Sequence, residues 1–215
     1  SGKSYTLGVM AEEMSSLPEE VSKNLGILMF DTMGIFWTMK YANQKEEDLL
    51  AGWNEIPRKL DTVDVFTPIG YASEYKKRKI PVDFPFSIKT SELNAGDWAN
   101  VFNLDLMKPI GILIEKIIGE FQEQKKEYDV VDIIKTIEKD TTIDRTTKDA
   151  AINLFGSTKG WGLFSKKGTE IKDLIRPGRV SVLDISCYSH MAGSWGIKNL
   201  VTGLVSKKLL LERMT

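Results

Sequence analysis

The chain has 215 residues, 42% hydrophobic and 27% charged, with a formal net charge of −1 at pH 7, which excludes a disordered or low-complexity chain and fits one large globular domain with or without an insertion. A near-neutral chain also lacks a surface basic throughout, so any nucleic-acid contact has to come from a local patch. No apolar run is long enough to span a bilayer, and the single cysteine, Cys187, forbids an internal disulfide and fits a reducing, cytoplasmic setting.

Residues 4–17 place Leu7, Met10, Ala11, Met14 and Leu17 on one stripe at helical spacing, which predicts a first helix. Gly26 to Asp31 (GILMFD) is a short apolar run ending in an acid, the pattern of a buried parallel strand. Val63 to Thr67 predicts a second strand, stopped by Pro68 and Gly70. Phe84 to Thr90 predicts a third, at a sheet edge because Pro85 has no N–H to give. Between Gly70 and Pro81 lies the run Lys76-Lys77-Arg78-Lys79, read as a solvated loop or, alternatively, as a loop contacting DNA or phosphate. Lys166-Lys167 is a weaker instance.

The middle of the chain is helical in pattern. Ile110, Leu113, Ile114, Ile117, Ile118 and Phe121 share one face, and Val130, Ile133, Ile134 and Ile137 share another. A third helix is expected from about Asp144 to Phe155, with Thr141, Thr142 and Asp144 as available N-caps. Gly156 to Gly162 reads as a loop, Arg179 to Ser186 as a strand, and residues 195–213 as a last amphipathic helix carrying Ile197, Leu200, Val201, Leu204, Val205 and Leu209. The order predicts an α/β sheet interrupted by a helical insertion at about residues 93–165.

The strongest chemical signal is at the start. Gly2, Lys3 and Ser4 match the last three positions of the phosphate-binding loop G-x-x-x-x-G-K-S/T, Ser1 precedes them and Tyr5 follows. Gly2 lets the backbone approach a phosphate, the helix N-terminus offers its N–H groups, Lys3 supplies charge toward the β- and γ-phosphates, and Ser4 supplies an oxygen for Mg2+. A chance Gly-Lys-Ser is the alternative; the helix directly behind it favours the loop. Asp31 and Asp184 each end an apolar strand, where a carboxylate can hold the water shell of Mg2+ or merely mark the carboxyl end of a parallel strand. Neither is followed by a glutamate able to orient an attacking water. Arg145, Arg176 and Arg179 read as salt-bridging residues first and nucleotide-reaching ones second. His190 has no partner at metal-ligand spacing, Cys187 reads as a small buried hydrophobe, and Trp98, Trp161 and Trp195 read as packing or interface residues rather than base-stacking platforms.

Taken in order along the chain, several of these segments resemble the HerA-type ATPases of the HerA/FtsK superfamily. Ser1-Gly2-Lys3-Ser4-Tyr5-Thr6 before a helix is similar to the start of that ATPase core. Leu28-Met29-Phe30-Asp31-Thr32-Met33-Gly34 is similar to its next strand, ending in Asp and then glycine. Pro85-Phe86-Ser87-Ile88, with Ser91-Glu92-Leu93 and Asp97-Trp98, looks like the approach to its helical insertion, and Arg176-Pro177-Gly178-Arg179-Val180-Ser181-Val182-Leu183-Asp184-Ile185-Ser186 like its Pro-Gly-Arg, strand, Asp-Leu-Ser stretch.

The resemblance implies a RecA-like P-loop NTPase: a parallel sheet, core at 1–92 and 166–215, helical insertion at 93–165. It implies ATP with Mg2+, bound between subunits of a homohexamer, with Ser1, Gly2, Lys3, Ser4 and Tyr5 on the nucleotide, Ser4 on Mg2+, and Lys3, Asp31 and Asp184 in the catalytic site. The activity implied is that of a DNA translocase or helicase in DNA processing or repair, with a NurA-type nuclease as a partner, no membrane, and Lys76, Lys77, Arg78 and Lys79 as DNA contacts. The alternatives are a related motor for conjugation or secretion, or a nucleotide-binding regulator without turnover. In this family the catalytic glutamate follows the helix after the Asp-Leu-Ser stretch, so it is expected beyond Thr215 together with the trans-acting arginine, leaving Asp184 as a site-lining residue. Thr32-Met33 and Ile35-Phe36 replace a more polar stretch, which marks a divergent member. The missing half of the loop motif, and the absence of strands before Ser1 and after Thr215, imply that the native protein extends past both ends and that residues 1–215 alone do not form a stable ATPase.

Overall fold

The computed structural model describes residues 2–125 and 127–214. In chain order the elements are α1 (Lys3–Ser15), α2 (Glu19–Ser22), β1 (Gly26–Asp31), α3 (Glu47–Gly52), β2 (Val63–Pro68), α4 (Ala72–Lys77), β3 (Phe84–Phe86), β4 (Ile88–Lys89), α5 (Ala95–Phe102), α6 (Pro109–Glu123), α7 (Val130–Lys139), α8 (Arg145–Ser157), β5 (Phe164–Ser165), α9 (Ile171–Leu174), β6 (Arg179–Asp184) and α10 (Ser194–Met214), with short 3-10 turns at Phe36–Lys40, Thr158–Trp161 and Ser186–His190 among them. The chain divides into two compact units: residues 1–67, 73–84 and 172–187, and residues 68–72, 85–171 and 188–215.

The first unit is built on a sheet. Among the described residues the strand order is β1-β6-β2-β3, with β1 and β2 both parallel to β6. This is the mixed α/β, parallel-sheet architecture that the sequence pattern implies. The pairing Met29↔Val182 and Val65↔Val182 puts Ile27, Met29, Val63, Val65, Val180 and Val182 on one pleat face. That face packs against Ala11 and the partly buried Phe36, Trp37, Met39 and Leu60. The same register sets Asp31 beside Asp184 at the carboxyl ends of two neighbouring strands.

α1 forms where expected but is rotated from the expected stripe. Ala11 is buried, whereas Leu7, Met10, Met14 and Leu17 are exposed. The inward side runs through Gly8, Ala11, Glu12 and Ser15, a helical i, i+3, i+4, i+7 set of small and polar residues. Small side chains let a helix axis come close to the sheet, and Gly8 lies against Phe36, whose ring a Cβ would meet at 4.0 Å.

The second unit is helical. α6, α7 and α8 pack on one another, and α5 packs on α6 and α10. Asn94 with Asp97 and Asp129 with Asp132 form capping boxes at the starts of α5 and α7, and Asp144 caps α8 through the Thr147 N–H at 3.0 Å. Trp98, Phe102, Phe155, Trp161 and Phe164 stack into one aromatic cluster.

Three local expectations change. The stretch Phe84 to Thr90 splits at Ser87 into β3, at the sheet edge, and β4, which pairs with β5 in a second small sheet. Ser87 gives its N–H to Thr169 Oγ1 and its hydroxyl meets Ser165 Oγ, so it leaves the first ladder. Gly156 to Gly162 is not a loop throughout, because α8 runs to Ser157 and a 3-10 turn then carries Trp161 into the aromatic cluster. Lys76 and Lys77 end a helix, α4, instead of lying in a loop. Among the described residues no helix is long and apolar enough to cross a membrane.

Candidate nucleotide-binding site

The site begins at the N-terminus of α1. Gly2 sits at φ +60° and ψ −16°, the left-handed region where glycine alone escapes a Cβ penalty. Its carbonyl accepts the Thr6 N–H at 2.9 Å and the Thr6 hydroxyl at 3.1 Å, closing the first turn. Among the described residues no side chain caps this helix, and no acid occupies its first turn. The leading N–H groups thus have no intrahelical acceptor, and the helix dipole and the exposed Lys3 add positive charge at the same point. That combination suits an anion of high charge density. Ser1, the remaining residue of the run, lies outside the described residues.

Ser4 and Tyr5 face a cleft of about 870 Å3, whose other walls include Gly8, Ile35, Phe36, Tyr41 and Arg58. Ile35 and Phe36 are held there by Asp31. Its Oδ1 accepts the N–H groups of Met33 (3.1 Å) and Gly34 (2.7 Å), and its Oδ2 those of Ile35 and Phe36 (both 2.8 Å). Gly34 takes φ +72° to complete this turn. Asp31 is buried, and four amides fill the acceptor positions of a carboxylate. In this geometry Asp31 builds the loop that forms one wall of the cleft.

Asp184 is placed differently. Its Oδ1 accepts the Tyr75 hydroxyl at 3.1 Å and the Ser186 N–H at 2.9 Å, while its Oδ2 is buried and has no partner among the described residues. Burial, reinforced by the charge of Asp31, raises the Asp184 pKa above the usual carboxylate range. Burial and then the charge of Asp184 push the Tyr75 phenol upward as well. An orphaned carboxylate oxygen at the carboxyl end of a parallel strand is where a ligand or an ordered water is satisfied in such sheets.

The family model described as Helicase HerA, central domain, matches residues 1–207. The chain belongs to that family. No curated protein and no solved structure gives a match. Membership brings with it the coarse chemistry of a HerA/FtsK-type ATPase motor and the use of a nucleotide with Mg2+. The residues present fit those ligands: uncapped amides and Lys3 for phosphate oxygens, and the Ser4 hydroxyl as a hard oxygen donor.

Elsewhere in this HerA central domain, the other candidates separate. Arg176 and Arg179 both bind the buried Asp64, and Arg176 also lies over the Phe84 ring at 4.7 Å. Arg179 opens β6 and Asp184 closes it, so the arginine cluster stands at the opposite end of the strand, roughly 16 Å away at 3.3 Å per residue. Both arginines therefore serve the sheet. Arg145 is exposed and pairs with Asp149 one helical turn on. Cys187 is half-buried rather than buried, and His190 joins no metal-binding group among the described residues. Lys76, Lys77, Arg78 and Lys79 are all exposed. The residue that sequence reasoning passes over is Tyr75, the buried residue of α4, at 2% exposure. A lone aromatic in the short, mostly polar helix ASEYKK was its only signal.

Proposed function

We propose that this HerA-family domain hydrolyses ATP and couples turnover to movement along DNA, as one subunit of a homohexameric ring acting in DNA processing or repair in the cytoplasm. The observation that supports the reading is the family match over residues 1–207, which takes in the left-handed Gly2 and the helix start at Lys3-Ser4. Lys3 and the first-turn amides would bind the triphosphate, and Ser4 would contribute to Mg2+. The ion, when bound, neutralises phosphate charge as the leaving group departs. Asp31 shapes the wall of the cleft, and Asp184 lines the site with its free oxygen. Residues 93–165 form the helical insertion on the core at 1–92 and 166–215. Lys76, Lys77, Arg78 and Lys79 contact the DNA backbone, and a NurA-type nuclease is the partner enzyme.

The test is steady-state phosphate release by the intact protein, with and without double-stranded DNA. Catalysis at a phosphoryl centre is largely electrostatic, so Lys3→Ala is expected to leave less than about a tenth of wild-type turnover, a loss of several kcal/mol in transition-state stabilisation. A variant retaining more than that removes Lys3 from the phosphate site. Turnover indifferent to DNA favours a motor for conjugation or secretion, and no turnover at all favours a nucleotide-binding regulator.

A further inference from the structure

α4 has two sides with different jobs. On the inner side, Tyr75 gives its hydroxyl to Asp184 Oδ1 at 3.1 Å and stands 3.1 Å from Ser186 Oγ. On the outer side and just past the helix end are Lys76, Lys77, Arg78 and Lys79, all exposed. The basic run is tied to the same short piece of backbone. Arg78 N–H bonds the Glu74 carbonyl (3.0 Å), Lys79 N–H the Lys76 carbonyl (3.0 Å), and Ile80 N–H the carbonyl of Tyr75 itself (3.0 Å). Lys79 adopts φ +60° to allow this closure.

The inner contact is also a narrow one. With Asp184 Oδ2 unpartnered among the described residues, the carboxylate is oriented by the Tyr75 hydroxyl and the Ser186 amide. The Asp184–Ser186 pair abuts the Asp31 turn: a Cβ on Gly34 would come within 2.5 Å of Ser186 Oγ and 3.6 Å of Asp184 Oδ2. That turn carries Ile35 and Phe36 into the cleft that Ser4 and Tyr5 line. The Tyr75 ring is packed on all sides, so a displacement of α4 either carries the hydroxyl with it or breaks its bond to Asp184.

We propose that Tyr75 is the positioning residue through which phosphate contact at Lys76, Lys77, Arg78 and Lys79 is relayed to Asp184 and the nucleotide cleft. The relay rests on the reading of this domain as a DNA-stimulated ATPase. Binding that draws the basic end of α4 toward a duplex re-aims the Asp184 carboxylate, because packed elements shift as units and buried hydrogen bonds are directional.

The experiment compares wild type and Tyr75→Phe in the intact protein, which removes one oxygen and keeps the ring. Three readouts are taken: ATP turnover with and without double-stranded DNA, DNA affinity across a salt series, and the melting temperature. The expected result is a DNA-to-no-DNA turnover ratio reduced about tenfold, the scale of an ordinary coupling energy, with DNA affinity and salt slope unchanged. An unchanged ratio overturns the relay, and so does a ratio that falls only in step with DNA affinity, since Tyr75 would then merely hold the helix. Should Tyr75→Phe fail to fold, amide hydrogen exchange of the wild type at Ser186, whose N–H bonds Asp184 Oδ1, decides with and without duplex: protection that changes on DNA binding supports the relay, and unchanged protection overturns it. A wild-type protein whose turnover ignores DNA overturns the functional reading and the relay together. A stimulated wild type with an equally stimulated Tyr75→Phe overturns the relay alone.

Discussion

At the scale of single residues, the two strand-ending aspartates show how one motif serves two ends. Asp31 gives all its acceptor capacity to the amides of Met33, Gly34, Ile35 and Phe36. Asp184, its neighbour in register, keeps one oxygen unsatisfied in a buried setting. The raised pKa of Asp184 has a consequence for stability. A carboxyl whose folded pKa lies above its unfolded value stabilises the fold fully below the unfolded pKa and loses that contribution as pH rises through the folded one. As pH rises through that folded pKa, the half-partnered Asp184 therefore loses its contribution to folding. Asp184→Asn, neutral at every pH and still able to accept from Tyr75 and Ser186, is expected to melt above wild type at pH 7. The gain should shrink as the pH approaches 4, and ATP turnover should fall. Melting curves at the two pH values check this, and a variant that melts lower at pH 7 contradicts the assignment.

At the scale of elements, α4 and α1 both carry more than their hydrophobic pattern suggests. α4 is a six-residue helix that anchors through Tyr75 and presents Lys76 and Lys77 in its last turn. Cations there also complement the helix dipole, which is the competing structural account of the run. Neutralising Lys76, Lys77, Arg78 and Lys79 together separates the two. If they meet DNA, affinity falls and the log–log salt slope drops by about 0.9 for each phosphate the protein no longer neutralises, with ATP affinity unchanged. If the slope holds, the run serves the helix end alone. α1 poses the opposite lesson. Its apolar stripe announces a helix, but the side that meets the sheet is the one carrying Gly8 and Ala11, because close approach depends on small side chains as much as on apolar ones.

At the scale of the whole molecule, acid should act on the helical unit through its surface ties. Asp140, at the end of α7, is held well below the usual carboxylate range by the Lys116 ammonium on α6, and then by the hydroxyl and amide of Thr142. Asp144 is lowered in the same direction by its cap on Thr147. A depressed pKa means stability present above the unfolded value, 3.8 for Asp140, and lost as pH falls through the folded one. Asp140→Asn should thus lower the melting temperature at pH 6 and converge with wild type as the pH drops toward 2. A difference that persists undiminished in acid would locate its cause outside this ion pair.

What the amino-acid order determined by itself was local and periodic. The runs GILMFD and RVSVLD announced β1 and β6, the 3.6-residue spacing of Ile110 to Phe121 announced α6, and the stripe that follows Gly2-Lys3-Ser4 announced α1. These are readable because each rests on neighbours in sequence: pleat, turn or helix face. The Asn94 and Asp97 capping box was legible in principle too, as a cap followed by an acid three residues on. Only the tertiary structure decided that Arg176 and Arg179 belong to Asp64 at the far end of the sheet, that Ser87 breaks one strand into two, and that Tyr75 reaches Asp184 across 109 residues of chain. Each of those depends on which partner arrives from a distant segment to satisfy a buried charge or hydrogen bond. The periodicity of a segment carries no record of that partner.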